Sequence, residues 1–392
     1  MVQGREENGK LIITITGKID SSNAPVIEQK LQELRKTYPC ESIELDCDQL
    51  EYSTSAGLRV ILRLKQGVDD TVLTNVHPDM YSILEMTGFT EMMEVRKAYR
   101  VISVEGCEVI GQGANGKVYR IDPDTIVKVY LNPDALPEIH RERELARLAF
   151  VAGVPTAIPY DVVRIEGGGY GSVFELLNAV SFARILINGD KPLEEVAEMS
   201  VSLLKLIHSK EVRSDILPDM KAVALNWADF LKDYLPAEQF EKLNALISAV
   251  PEDEHLIHGD YHVKNVMLQN GESLLIDMDT LSHGHPIFEL ASMYNAYVGF
   301  GLANPEQHMA FLGLPADTYR AFWNRSLELY LGTQDESRVK EVEEKAMIVG
   351  LTRLIRREIR RDGLNREDGR RMIEICRTTL AGLLPKVDTL VF

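Results

Sequence analysis

Leu11, Ile13 and Ile15 alternate with Ile12, Thr14 and Thr16, the period-2 pattern of a strand that Gly17 ends. Ser22 or Asn23 can cap the helix that follows, Pro25 is tolerated in its first turn, and Ile27, Leu31 and Leu34 give it one buried stripe. Ile43, Leu45 and Cys47 then alternate with Glu44, Asp46 and Asp48, a second strand with one solvated face. A second helix carries Leu58, Ile61, Leu62 and Lys65 behind a turn of small residues at 53–57. Residues 71–76 read as a third strand and residues 81–86 as a short third helix ended by Gly88. Strand and helix in this alternation predict a sheet covered by helices.

After a bridge at residues 99–105 the pattern changes. Residues 118–121 and 126–130 read as strands around the turn Asp122-Pro123-Asp124-Thr125, and a helix is expected from about 137 to 151. Further on, Phe174-Glu175-Leu176-Leu177 ends one apolar strand and Leu274-Leu275-Ile276 ends another. The 392 residues suggest two or three domains, and 45% apolar with 26% charged residues is a globular composition. A formal charge of −17 argues against nucleic acid as a partner, since Lys and Arg must replace counterions on phosphates. Cys40, Cys47, Cys107 and Cys376 lack C-x-x-C spacing, so reduced thiols are expected rather than disulfides or a zinc site. Neither a membrane span nor a signal peptide is visible, and the expected location is cytoplasmic.

The turn Tyr52-Ser53-Thr54-Ser55-Ala56-Gly57-Leu58, with the elements around it, makes residues 1–100 resemble a STAS domain, the fold of the anti-sigma factor antagonists. The resemblance implies a Ser or Thr at this helix start that a partner kinase phosphorylates, and a protein partner for the domain. A phosphate there would sit on a helix N-terminus. Ala56 directly precedes Gly57-Leu58, a departure that leaves Ser53, Thr54 and Ser55 as candidate acceptors. Helix capping alone is the preferred reading of these hydroxyls.

Chemistry is concentrated in the second region. Gly111-Gln112-Gly113-Ala114-Asn115-Gly116-Lys117-Val118 is a G-x-G-x-x-G-x-V run followed by strand, not helix, and Lys128 lies in the next strand. That order is the kinase arrangement, with glycine backbone over the phosphates and a lysine reaching them. Glu142 and Glu144 are both candidates for the carboxylate that pairs with Lys128. His258-Gly259-Asp260-Tyr261-His262-Val263-Lys264-Asn265 carries the strongest signal, with Asp277 after it. Asp260 can accept the proton of an attacking hydroxyl, while Asn265 and Asp277 can hold Mg²⁺ against ATP phosphates. His258 and His262 read as hydrogen bonders that brace the loop.

Residues from about 105 to 392 resemble the aminoglycoside phosphotransferase and choline kinase branch of the protein-kinase-like fold, whose loop reads H-G-D-x-H-x-x-N. The segment 277–291 resembles that family's I-D…G-D-P-x-x-D-L-A run, with His285 and Glu289 in place of its two aspartates, a substitution expected to lie well away from the metals. The resemblance favours Glu144 as the partner of Lys128. It implies Asp260 as base, Asn265 and Asp277 as magnesium ligands, and a hinge at Phe174-Glu175-Leu176-Leu177, where Glu175 and Leu177 pair with adenine. It further implies two lobes, about 105–178 and 179–392, within an α+β / α/β multidomain chain. Met278-Asp279 replaces Phe-Gly and no A-P-E follows, which favours a small-molecule hydroxyl as acceptor. A protein kinase acting on a STAS domain and a non-catalytic nucleotide sensor are the competing readings. Arg353, Arg356, Arg357 and Arg360 form one basic stripe on a helix, which as a site would suit an anionic partner or acceptor; the preferred reading is a solvated face balanced by Glu341, Glu343, Glu344 and Glu358.

Overall fold

The computed structural model describes residues 2–7, 9–113, 116–213 and 215–392, and the side chains of 307, 308 and 316 are not considered. Ala114 and Asn115 of the glycine run therefore lie outside the described residues. The chain divides into two compact units, residues 1–106 with 162–171, and residues 107–161 with 172–392. The second region expected to be continuous thus lends one segment to the first unit, because Arg100–Ile102 pairs in parallel with residues 163–165.

In the first unit β1 (Val2–Glu7) and β2 (Lys10–Ile15) form an antiparallel pair. A short β3 (Gly17–Ile19), α1 (Ala24–Thr37), β4 (Ser42–Asp46), β5 (Leu50–Ser53), α2 (Ser55–Gly67) and β6 (Asp70–Val76) follow. The unit closes with α3 (Pro78–Met86), α4 (Phe89–Met92) and β7 (Val95–Lys97). The main sheet has the order β1-β2-β4-β6-β7, parallel from β2 onward. Leu11, Ile13, Ile43, Leu45 and Leu73 are fully buried beneath Ile27, Leu31, Ile61 and Leu64 of the helices. Alternation does not reveal β1, whose residues are mostly exposed on an edge and contribute little apolar surface. Asn23 occupies the N-cap of α1 without capping it: its Oδ1 accepts from the Asp20 amide (2.9 Å) and its Nδ2 donates to the Lys18 carbonyl (2.8 Å).

The second unit begins with β9 (Glu108–Gln112), β10 (Gly116–Asp122) and β11 (Thr125–Tyr130), numbering Arg100–Ile102 as β8. The helix α5 (Leu136–Val151) follows, and Asp161–Ile165 and Tyr170–Glu175 are β12 and β13. The antiparallel ladders β9–β10–β11 carry β13 on the far side of β11. A largely helical part follows from Phe182 onward, organised around the helix Ile287–Tyr297, every residue of which is buried. The helices Glu336–Arg360 and Glu367–Leu383 pack with it into one apolar core. Among the described residues no helix is long and apolar enough to cross a membrane.

Candidate active site

A cleft of about 1240 Å³ in the second unit is lined by Gly111, Gly113, Gly116, Lys128, Glu175, Leu177, Asp260, Asn265 and Asp277. The chain draws them together from four strands and from loops. Gly116 must be glycine for packing, since a Cβ there would stand 2.4 Å from the Val129 carbonyl oxygen across the β10–β11 ladder. Gly113 meets nothing within 4 Å, so its missing side chain leaves open cleft.

Lys128 points from β11 to Glu142 Oε1 at 2.7 Å and to Asp277 Oδ1 at 3.2 Å. Burial works against its charge, but Asp277 and Glu142 together hold its pKa above the usual lysine value. The expected partner Glu144 is a correction: its side chain is 65% exposed and its nearest cation is Arg147 at 4.0 Å. Helix docking decides between the two. Glu142 shares the buried face of α5 with Ile139, Leu145, Ala146 and Ala149, which turns it toward β11. Tyr130 donates its hydroxyl to the second oxygen of Glu142, so the carboxylate is fixed at both ends.

The loop 258–265 is clamped along its backbone. Glu289, fully buried on the central helix, accepts the amides of His258 (2.6 Å), Gly259 (3.1 Å) and Tyr261 (3.4 Å). Thr280 Oγ1 donates to the His258 carbonyl (2.7 Å), Ser292 Oγ to that of Gly259 (2.8 Å), and Val263 donates its amide to Tyr297 Oη (3.0 Å). Gly259 has φ of +81° and a Cβ there would lie 2.6 Å from the Thr280 carbonyl oxygen, so no side chain fits at this step. His258 is buried and accepts the Asp260 amide at 3.3 Å, and His262 Nε2 lies 3.5 Å from Asp260 Oδ2. Packing around Asp260 would raise its pKa. The contact with His262, then the charges of Arg353 and His258, outweigh this and bring it down to about 2.

Asn265 and Asp277 face each other because the strands Val266–Gln269 and Glu272–Leu275 pair with Val266 opposite Leu275, and the Ile276 amide donates to the Asn265 carbonyl (3.0 Å). The two-residue turn Asn270-Gly271, both at positive φ, sets that register, a signal readable from the Asn-Gly pair itself. Asp277 sits at φ +68° just beyond the strand. Its neighbour Asp279, to which the sequence assigned no role, is pushed up to about 7 by burial and by the charge of Asp277. At the other edge Glu175 ends β13 and Leu177 follows it, with the Leu176 amide already donated to the Asp124 carbonyl (2.8 Å).

Glu289 thus braces the loop 258–265 from behind through three amides. A further correction concerns the helix Glu336–Arg360. The arginine stripe is not simply a solvated face: Arg353 and Arg357 line the cleft, joined by Arg361 and Arg366. Of the four proposed balancing carboxylates, Glu343 is bound by Arg320 and Trp323, Glu341 by Arg338 and Lys345, and Glu358 pairs with Arg357 of the stripe.

The candidate phosphoacceptors of the first unit differ in access. Ser53 is buried and donates to the Thr54 carbonyl (3.3 Å), and Thr54 donates to that of Ile19 (3.3 Å). Ser55, in the first turn of α2, is exposed. Capping is not what these hydroxyls do, since Thr54 is the N-cap residue but makes no side-chain cap bond.

The STAS domain model matches residues 1–101. An anti-sigma F factor antagonist of Paenibacillus polymyxa is 24% identical over 98 residues, covering 24% of this chain and 84% of that protein. Among solved structures, the streptomycin–ATP ternary complex of APH(2'')-IIa has a TM-score of 0.45 at 18% identity, covering 69% of this chain and 93% of that one. A choline/ethanolamine kinase family protein from Mesorhizobium loti has a TM-score of 0.46 at 14% identity, covering 71% and 87%. The model of the phosphotransferase enzyme family matches residues 106–322, more than half of the length, and the chain therefore belongs to that family, with a STAS domain at its N-terminal side.

Proposed function

We propose that this phosphotransferase moves the γ-phosphoryl group of ATP, with Mg²⁺, to a hydroxyl of a small molecule. In this reading a domain of residues 105–392 performs the transfer, and the STAS domain, residues 1–100, serves regulation or binds a protein partner. The observation that carries it is the meeting of the Lys128–Glu142 pair, Asp260, Asn265 and Asp277 in one cleft under a glycine hairpin. Phosphoryl transfer asks for placement and charge stabilisation more than for covalent help, and these residues supply both.

Lys128, held by Glu142, would meet the ATP phosphates, and the Glu175 carbonyl with the Leu177 amide would pair with the base. Asn265, Asp277 and Asp279 offer only hard oxygen donors, the chemistry Mg²⁺ takes. The Asn265 amide nitrogen donates to the Asp260 carbonyl (3.0 Å), which directs its Oδ1 away from that loop. When bound, the metal neutralises charge building on the transferred group. The acceptor oxygen bonds to the γ-phosphorus as the bond to the β–γ bridging oxygen breaks. ADP leaves, and the acceptor proton passes to Asp260. A carboxylate held near pKa 2 is a weak base, so Asp260 chiefly orients the hydroxyl and takes its proton late, as a loose transition state allows.

Turnover of labelled ATP across an acceptor panel tests this. Asp260→Asn and Asp277→Ala variants with native melting behaviour are expected to lose at least about 100-fold in rate. Unchanged rates in both would exclude the mechanism.

A further inference from the structure

The charges on the acceptor side of the cleft have the opposite sign to the chain as a whole. Arg353, Arg357 and Arg361 follow one another at i, i+4 and i+8 along the helix Glu336–Arg360 and its end, and all three line the cleft beside Asp260. Arg366 and Lys264 line it too. Stacking like charges four residues apart weakens a helix, so the row costs stability unless something compensates it.

Counter-charge in direct contact with the row is sparse. Glu358 is shared by Arg357 (2.9 Å) and Arg366 (3.0 Å), and Asp368 stands 3.6 Å from Arg366. Arg353 donates to neutral groups, the Gly259 carbonyl (3.1 Å) and Ser292 Oγ (3.0 Å), and Lys264 donates to the Phe311 carbonyl (3.0 Å). Arg361 makes no side-chain hydrogen bond or ion pair among the described residues. Around the row itself three carboxylates, Asp260, Glu358 and Asp368, stand against five cations; the other carboxylates lining the cleft are Glu142 and Asp277, both bound to Lys128, with Glu175 and Asp279. Aromatic faces hold two of the arginines in place, Trp227 under Arg353 at 5.4 Å and Phe300 under Arg357 at 4.8 Å. Burial, then the neighbouring Arg361, lowers the pKa of Arg357, as expected of a cation short of anionic partners.

We infer that the acceptor is a hydroxylated small molecule carrying its own anionic group, a phosphate or a carboxylate, seated on Arg357 and Arg361 while its hydroxyl meets Asp260. The inference rests on the phosphotransferase reading and narrows its substrate class. Arginine forks suit both anions, since each can be gripped by paired N–H donors. Arg353 to Arg361 spans about 12 Å of helix axis, so the row can reach an anion on an acceptor the size of a monosaccharide phosphate. A polycationic acceptor would meet the same five cations as repulsion.

A matched panel isolates charge from shape: glucose 6-phosphate, gluconate, glucose and glucosamine. Binding to the full chain is measured by calorimetry with a non-hydrolysable ATP analogue present, so no chemistry is needed. Glucose 6-phosphate or gluconate should bind at least about tenfold more tightly than glucose or glucosamine, with an advantage that shrinks as salt rises. The stronger of the two identifies phosphate or carboxylate. Arg361→Glu, at an exposed position, should remove about tenfold of that advantage, and Arg357→Gln should act in the same direction. Equal or tighter binding of glucosamine, no charge preference at all, or an unaffected Arg361→Glu variant would overturn the inference. Wild-type turnover with the same compounds separates the two levels. Transfer to neutral acceptors alone sinks the anionic acceptor and keeps the phosphotransferase; anion binding without transfer to any acceptor does the reverse.

Discussion

Lys128 shows how little decides a residue's role. The run Arg141-Glu142-Arg143-Glu144 offers two carboxylates of the same chemistry, and family resemblance favoured the second. The deciding quantity is rotation of α5 about its axis, set by where Ile139, Leu145, Ala146 and Ala149 bury. That apolar face is legible in the periodicity, and Glu142 lies on it. The motif carried the reading away from the packing signal. Replacing Glu142 by Gln keeps the shape and removes the charge that holds Lys128, so kcat/KM should fall by about 100-fold, near 2.7 kcal/mol of transition-state stabilisation. Glu144→Gln alters an exposed side chain and should stay within about twofold. Steady-state kinetics of the two variants side by side decides the matter, and a larger loss in Glu144→Gln would restore the original assignment.

At the level of elements, local signals were read well and tertiary ones poorly. Strands β2, β4 and β6 and helices α1, α2 and α3 of the first unit follow from alternation, 3.6-residue stripes and turn residues. The short or edge elements β1, β3, β5, β7 and α4 do not, and the loop 258–265 follows from its own spacing. What joins the loop to the central helix did not follow, because the three amides received by Glu289 come from about thirty residues away. No periodicity encodes such a contact. It carries an energetic consequence. Burial alone would raise the Glu289 pKa, but the imidazole of His208, whose Nε2 lies 3.9 Å away, then that of His258 and the Gly259 amide, lower it. A folded pKa below the unfolded carboxylate value of about 4.3 means stability that is fully present above that value and lost as pH falls through the folded one. Glu289→Gln cannot accept all three amides and should cost roughly 3 kcal/mol at neutral pH. The gap to wild type should narrow in acid, where Glu289 itself becomes neutral. Urea unfolding of both proteins near pH 7 and at about pH 3 or below reads it, and a gap that stays constant with pH would show that the carboxylate charge is not what braces the loop.

Across the whole molecule, the net charge of −17 proves a poor guide to the site, where cations gather in the cleft of an acidic chain. Length and composition pointed to more than one domain, and the reason is visible in the packing: each unit buries its own set of apolar side chains. Leu73, in the middle of β6, is fully buried in the first set, and every residue lining the cleft belongs to the second unit. A defect in one core and a ligand in the other unit should therefore move different unfolding transitions. Leu73→Ala leaves a cavity expected to cost about 2–5 kcal/mol, lowering the transition of the first unit. A non-hydrolysable ATP analogue at about a hundred times its Kd should stabilise the second unit by about 2.7 kcal/mol and raise its transition. Scanning calorimetry of wild type and Leu73→Ala, each with and without the analogue, separates the two effects. Two transitions should appear, one shifted only by the mutation and the other only by the ligand. A single transition shifted by both would mean that the units unfold as one cooperative body, in which case nucleotide binding and the state of the STAS domain are energetically linked through folding itself.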